Sequence, residues 1–375
     1  MDEQYDVVVI GGGPAGLSGA LALSRARRSV LVVDGGAPRN AAAAHVHNYL
    51  GRDGTPPRDL LAAGRAEVTG YGGELAEGEV TSAVAVDGGF AVTLRGGRAV
   101  GARRLLVTTG LVDELPAVPG VRELWGRDVL HCPYCHGWEV RDQAIGILAT
   151  NPMGIHQALM WRQWSADMTL FLHTGPQPSA EQWEELAARD ITVVTGEVVE
   201  LQTAGDRLSG VRLADGHVFA RNAVVVAPRF NARSAVLASL GLDARPVLMG
   251  EHVMGSAVPA DPNGVTAVPG TWVAGNVTDL TAQVVGSAAA GLRAGGMING
   301  DLITEDTRLA VERRRRAPFS PAAERECANR CWATGATGSE GDGDARTRAR
   351  TRARTRALRR PARPRGRPPR PRLLG

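Results

Sequence analysis

The chain has 375 residues, 43% of them hydrophobic and 22% charged, which is length for about two domains and enough apolar side chain to bury large cores. No run of eighteen or more apolar residues occurs and the N-terminus is acidic, so neither a membrane span nor a secretory signal is expected, and cytoplasmic localisation is. The net charge of +4 conceals two parts: thirteen arginines and no acid lie between Arg346 and Arg372, and without them the first 345 residues carry −9.

Tyr5-Asp6-Val7-Val8-Val9-Ile10 predicts a short β-branched strand, followed by Gly11-Gly12-Gly13-Pro14-Ala15-Gly16 and an Ala/Leu-rich helical pattern from Leu17 to about Arg27. Strand, glycine loop and helix in that order read as a dinucleotide loop. Gly11 permits the tight turn, Gly13 lets backbone N–H groups approach a pyrophosphate, and Gly16 lets helix and strand pack closely, with Pro14 and Ala15 in the same loop. A second strand, Ser29 to Val33, ends in Asp34, about twenty residues on, where a carboxylate can accept ribose hydroxyls. Residues 79–110 alternate strand-like stretches with Gly-containing turns and close on Arg104-Leu105-Leu106-Val107-Thr108-Thr109-Gly110, a meander returning to a buried parallel strand.

His131-Cys132-Pro133-Tyr134-Cys135-His136-Gly137-Trp138-Glu139 holds the chemistry. Two cysteines separated by two residues can close a disulfide within one turn and reopen it, and in a reducing cytosol such a pair is more often catalytic than structural. A zinc half-site is the alternative, but no second ligand pair follows at usable spacing, and Cys327 and Cys331 lie almost two hundred residues away, so no metal is expected. His136 and His131 titrate near neutrality and are candidates to move thiol protons, with Glu139 to orient an imidazole; a hydrogen-bonded structural role is the alternative for each histidine. Tyr134 and Trp138 are candidates for an aromatic wall or for core packing, whereas Trp161 and Trp164 are assigned to packing.

Residues 142–226 repeat the first scheme in smaller form: strand-like Ala144 to Ala149, helical Ile155 to Trp164, strand-like Met168 to Leu172 and a final Ala223 to Ala227. Thr271 to Val277 is a strand leading into a small-residue helix from Ala282 to Met297, whose N-terminus can face an anion. Two successive βαβ-plus-meander units predict an α/β protein of two Rossmann-like three-layer lobes, the second inserted in the first. The expected boundaries are 1–115 and 236–304 for the first lobe, 116–235 for the inserted lobe with the Cys pair, and 305–375 for a disordered Arg/Pro-rich tail. That tail has low complexity and, past Arg346, no aromatic residue to stack on bases, so nucleic-acid binding is not the expected function.

With these motifs in this order, the chain resembles the low-molecular-weight thioredoxin reductase group of flavoprotein disulfide oxidoreductases along nearly all of residues 4–302. The resemblance implies a homodimer that binds FAD. Gly11, Gly13, Pro14, Ala15 and Gly16 would hold its pyrophosphate and Asp34 its adenosine ribose. Asn48 and Tyr49 would lie near the flavin, and Gly110, Gly275, Asn276 and Gln283 about the ribityl chain and ring. The family commonly has an aspartate where this chain has Asn276, whose amide can still bond a ribityl hydroxyl. Cys132 would be the interchange sulfur and Cys135 the one against the flavin.

Family members that take electrons from NADPH have a second glycine-rich loop and arginines that grip the 2′-phosphate. Here the loop reads Thr150-Asn151-Pro152-Met153-Gly154 and the second strand is followed by His173-Thr174-Gly175-Pro176-Gln177, without arginine, so NADPH is a doubtful donor. This departure, with His136 where reductases usually place an aspartate, is similar to the gliotoxin- and holomycin-type dithiol oxidases, which share the Cys-x-x-Cys-His-Gly-aromatic-Glu pattern. The implied activity is oxidation of a small-molecule dithiol, electrons passing through Cys132/Cys135 and FAD to O₂. The alternatives are an NADPH-dependent reductase of a thioredoxin-like protein and, from another class, a redox-inactive flavin-binding or tail-mediated nucleic-acid-binding protein.

Overall fold

β1 (Gln4–Ile10) is β-branched and buried along most of its length, as a central parallel strand must be. The computed structural model, which describes residues 3–316 and the helix 321–335, places it in the middle of the first sheet. From β1 the chain crosses by α1 (Pro14–Arg25) to β2 (Val30–Asp34), which runs parallel with Val7 opposite Val30. It continues by α2 (Pro57–Gly70) to the outer strand β3 (Glu74–Glu77). β4 (Val80–Val86), β5 (Gly89–Leu94) and β6 (Ala99–Val107) form the expected meander, and β6 lies parallel to β1 on its other side. The path is β3-β2-β1-β6-β5-β4.

β7 (Leu111–Glu114) leads to a second, wholly parallel sheet of β8 (Val129–Leu130), β9 (Ile145–Leu148), β10 (Met168–Phe171), β11 (Thr192–Val194) and, later in the chain, β15 (Ala223–Val226). Its order is β11-β10-β9-β15-β8, with α3 (Pro133–His136), α4 (Met153–Trp161) and α5 (Ala180–Ala188) in the connections. The meander β12 (Val198–Ala204), β13 (Arg207–Leu213) and β14 (Val218–Phe219) forms a small sheet of its own. β16 (Arg229–Ala232) then pairs antiparallel with β7, so the strands leading to and from the second sheet lie side by side. After α6 (Ala235–Ala238), β17 (Arg245–Met249) and β18 (His252–Ala257) complete that four-stranded sheet. β19 (Thr271–Val273) returns the chain to the first sheet, with Val273 opposite Val107 on β6.

α7 (Val284–Arg316) continues as a helix twelve residues past the expected boundary at residue 304, while the first compact unit ends at Thr307. Glu305 and Asp306 are the reason: both accept from Arg103 at 2.8 and 2.6 Å, tying this turn to β6. α8 (Pro321–Gly335) is likewise helical where a disordered tail was expected. The Arg/Pro-rich segment itself lies outside the described residues. Among the described residues no helix is long and apolar enough to cross a membrane.

Each parallel sheet has one point where the strand order reverses, and open α/β sheets hold ligands there, at the strands' carboxyl ends. In the first sheet it lies between β1 and β6, at Gly11 and Thr108. In the second it lies between β9 and β15, at Ala149 and Ala227.

Candidate active site

A cleft of about 520 Å³ runs from Asp34 past the glycine loop to Cys132 and Cys135, and on to one face of α4. At its first end Gly11 takes φ +107, and a Cβ there would lie 2.6 Å from the Thr108 carbonyl oxygen. A Cβ on Gly16 would lie 1.9 Å from the Gly11 carbonyl oxygen, so only glycine lets α1 pack against the loop. Gly13, by contrast, faces open space. It is the N-cap of α1 and no side chain caps it, which leaves the helix's first N–H groups for an anion. This cradle fits a pyrophosphate.

The other expected cofactor residues distribute along the same cleft, with two exceptions. Pro14, Ala15, Asp34, Gly110, Gly275, Asn276 and Gln283 all line it. Asp34 Oδ2 accepts from Arg65 Nη2 at 2.8 Å, which fixes the carboxylate at the end of β2. Asn276 donates to the carbonyls of Asp279 and Ala282, both at 2.9 Å, and its Oδ1 accepts from Arg39 at 3.3 Å. An aspartate there would turn a carboxylate toward two carbonyl oxygens, so in this chain the amide suits its surroundings. Tyr49, which does not line the cleft, is one exception and Asn48 the other. Asn48 has φ +60, does not line the cleft, and donates its amide to the carbonyl of Tyr134, between the two cysteines.

Cys132 caps α3 and Cys135 sits three residues on, which puts both sulfurs on one side of a single turn. Gly137 is required behind them, because a Cβ there would lie 2.5 Å from the Pro133 carbonyl oxygen and 2.9 Å from the Trp164 ring. The Cys132 thiol is pulled below its ordinary range by a hydrogen bond from Cys135, against burial, with backbone N–H groups and the Arg39 charge assisting. The same contact, together with burial, pushes the Cys135 thiol far up. In the reduced pair a proton is therefore held more tightly by Cys135 than by Cys132, which favours Cys132 as the attacking sulfur.

Three imidazoles surround this pair in different states. His131 stacks on Trp125 at 5.5 Å and meets the edge of Phe230 at 5.9 Å; burial, aided by Arg39, lowers its pKa to about 4. Burial thus favours its neutral form. Both ring nitrogens of His136 are shut off from solvent and have no hydrogen-bond partner among the described residues. Burial lowers its pKa, against the Glu139 charge, and keeps it a neutral base. Glu139 does contact an imidazole, but that of His47, whose Nε2 lies 3.4 Å from Glu139 Oε1.

Tyr134 is 59% exposed, lines the cleft and meets the Trp164 ring edge-on at 5.6 Å, whereas Trp138 is 66% exposed and lies under Arg141 at 4.1 Å, outside the cleft lining. Trp161 is fully buried, as assigned. Arg39 escaped the sequence reading: its guanidinium makes two hydrogen bonds to Asp113, at 2.8 and 2.6 Å, and packs over Phe230. Nothing in the local pattern of a 3₁₀ turn and a short strand joins residues 74 positions apart.

At the crevice of the second sheet the loop bonds to its own backbone and to backbone just past β15. Asn151 Oδ1 accepts the Met153 N–H at 2.9 Å and its Nδ2 donates to the Ala227 carbonyl at 3.4 Å, bridging β9 and β15 and occupying the first turn of α4. Gly154 packs on Ala149, where an added Cβ would lie 2.4 Å away, rather than opening toward a ligand. Where a 2′-phosphate grip would follow β10, His173 Nδ1 instead accepts the Val198 N–H at 3.1 Å. Met153, His156, Gln157 and Met160 of α4 face the cleft that holds the Cys pair.

Comparison with known proteins agrees with this geometry. The profile of the pyridine nucleotide-disulphide oxidoreductases matches residues 5–295. The solved structure of HlmI is similar over 84% of this chain and 98% of its own, at 46% identity and a TM-score of 0.78. Thioredoxin reductase tcpT of Claviceps purpurea is 29% identical over 80% of this chain and 95% of its own length. A probable thioredoxin reductase of Arthroderma benhamiae is 40% identical, over only 39% of this chain and 38% of its own length. With its FAD-type cradle, its Cys pair and a match along almost the whole folded body, the chain belongs to the pyridine nucleotide-disulphide oxidoreductase family, as a thioredoxin reductase-like flavoprotein.

Proposed function

We propose that this oxidoreductase converts a small-molecule dithiol to its disulfide, with O₂ rather than a nicotinamide nucleotide at the other end of the electron path. The observation that carries the reading is Asn151. Its side chain takes the α4 N–H and bridges the strands where a nucleotide pyrophosphate would lie, while the corresponding turn of α1 has no such cap. The gliotoxin/holomycin-type pattern from Cys132 to Glu139 supports the same reading. An apolar row exposed on α7, formed by Val285, Leu292 and Ile303, supports a homodimer.

The residues divide the work as follows. The first substrate thiol gives up its proton and attacks Cys132 as the thiolate, the Cys132–Cys135 bond breaks, and Cys135 departs and takes up one proton. His136 accepts the proton that the second substrate sulfur gives up. FAD, when bound, supplies a two-electron acceptor for the reduced pair and a route to oxygen. Gly13 and the first turn of α1 would hold its pyrophosphate, Asp34 its ribose, and Gly275, Asn276 and Gln283 the far end.

With dithiothreitol as the only reductant and air as the oxidant, the protein should consume O₂ and form one hydrogen peroxide per disulfide without added nucleotide. An oxygen electrode with a peroxide assay reads this. If oxygen uptake with the dithiol is absent and thioredoxin is reduced once NADPH is added, the NADPH-dependent reductase is the correct reading.

A further inference from the structure

In a nucleotide-binding lobe the helix in the place of α4 turns its first N–H groups toward a pyrophosphate. Here Asn151 Oδ1 accepts the Met153 N–H at 2.9 Å, and what α4 offers the cleft is a side-chain face. That face is Met153, His156, Gln157 and Met160, spaced i, i+3, i+4 and i+7 and so aligned along one side of the helix. The opposite side, with Gly154, Ile155, Ala158 and Trp161, is buried in the second lobe. Two half-buried methionines thus look into a cleft instead of a core.

Packing ties this face to the Cys pair. Trp164, three residues beyond the helix, meets Tyr134 edge-on at 5.6 Å and Trp161 at 6.2 Å, and a Cβ added to Gly137 would lie 2.9 Å from its ring. The turn that holds Cys132 and Cys135 is therefore packed at the Met160 end of α4, and the stripe runs on to Met153 over about 10 Å. Gln157 Nε2 donates to the Val226 carbonyl at 3.2 Å, which fixes the middle of the face against β15.

The carboxylates and guanidiniums that line the cleft are Asp34, Arg39, Asp113 and Arg233, and none of them lies on α3 or α4. Asp34 is paired with Arg65, Arg39 with Asp113, and Arg233 is anchored by its N–H to the Gly110 carbonyl. A charged substrate body laid along α4 would lose water there without gaining an opposite charge, whereas an apolar body gains by leaving water. Methionine adds tolerance of shape, because its unbranched thioether chain adapts to irregular surfaces.

We propose that the Met153–Met160 face of α4 is the substrate wall of the Cys pair, and that it selects uncharged dithiols with a compact apolar body over dithiols of the same head that carry a carboxylate. This rests on the dithiol-oxidation reading above and adds no chemical step to it: the substrate sulfurs exchange with Cys132, and the wall touches the body that carries them.

Dihydrolipoamide and dihydrolipoate test it, since they share the same two thiols and differ in an amide against a carboxylate. Oxygen uptake by the holoprotein is measured with each over a range of concentrations. The KM for the amide should lie roughly 10-fold below that for the carboxylate, and an N-alkyl amide should lower it further, by about 3-fold for each methylene the wall covers. Met160→Gln and Met153→Gln should each raise the KM for the amide by roughly 5-fold with little change in kcat, and Met160→Leu should restore it, because leucine replaces methionine at similar volume. Equal KM values for amide and carboxylate overturn the wall, and so do glutamine variants that keep the wild-type KM, that lose kcat instead, or whose defect leucine does not repair. The reading beneath it is tested apart, by mixing the oxidised protein anaerobically with dithiothreitol and counting alkylated Cys132 and Cys135 by mass spectrometry. A disulfide that stays closed fells the dithiol reading and the wall together; one that opens while KM ignores both the carboxylate and the glutamines overturns the wall alone.

Discussion

Cys132→Ser and Cys135→Ser each lower dithiol oxidation by at least ~10³-fold, the scale of removing a nucleophile that acts as a unit with its partners. FAD stays bound in both variants, because the cradle at Gly11, Gly13 and Gly16 and the residues at Gly275 and Gln283 contain no sulfur. The two variants fail differently. In Cys135→Ser the attacked sulfur is still present but has no partner to be expelled or to close on, so thiol reagents and activated disulfides should label Cys132 rapidly. In Cys132→Ser the Cys132 contact that raises the Cys135 pKa is lost and burial alone still raises it, so labelling of Cys135 should be slower than that of Cys132. Visible flavin absorbance reads cofactor retention and intact-mass spectra read the labelling. Turnover in either variant, or faster labelling of Cys135 than of Cys132, contradicts the assigned roles.

His136→Ala should lower turnover by roughly 10²-fold, the usual effect of losing a general acid–base group. Burial lowers the folded-state pKa of His136 below 6.5, so the imidazole remains a neutral base at neutral pH and its acid limb in the rate profile lies below 6.5. The alanine variant should lose that limb, and His136→Asp should keep more activity, since a carboxylate still accepts a proton. The same shift has a stability consequence of fixed sign. The unfolded chain takes up a proton at this position as pH falls through 6.5 while the folded chain resists, so wild-type stability drops on acidification and the alanine variant is less acid-sensitive. Rate and thermal-melting profiles of the three proteins read both effects; an unchanged rate profile in the alanine variant returns His136 to a packing role.

The parts of the site that were legible in the sequence are those fixed by local geometry. Gly11 and Gly16 are dictated by a turn and a helix–strand approach within six residues, and the Cys pair by a single helical turn. Asp34 follows from the length of one βαβ crossover. The illegible parts are contacts between segments far apart in the chain: Arg39 with Asp113, His47 with Glu139, and Asn48 with Tyr134. No periodicity encodes these, and they arise only when the loop after β2 folds over the second sheet's first turn. Asn48 shows the cost of reading by proximity, since its amide serves the Cys turn rather than the cleft. His131 shows that a histidine beside a cysteine can be held in its neutral form, because burial between two aromatic rings disfavours its charge. The helical continuation past residue 304 depended on Arg103 and Arg104, about two hundred residues upstream, pairing with Glu305.

The central claim is that electrons enter this flavoprotein at Cys132 and Cys135 from a small dithiol and not from a nicotinamide nucleotide at α4. Anaerobic stopped flow decides it: the oxidised holoprotein is mixed with dithiothreitol in one run and with NADPH in another, and the flavin absorbance is followed. Rapid bleaching by dithiothreitol and no useful rate with millimolar NADPH is the result expected from Asn151 taking the first N–H of α4 and bridging the two strands; rapid bleaching by NADPH would contradict the account and make the protein an NADPH-dependent reductase.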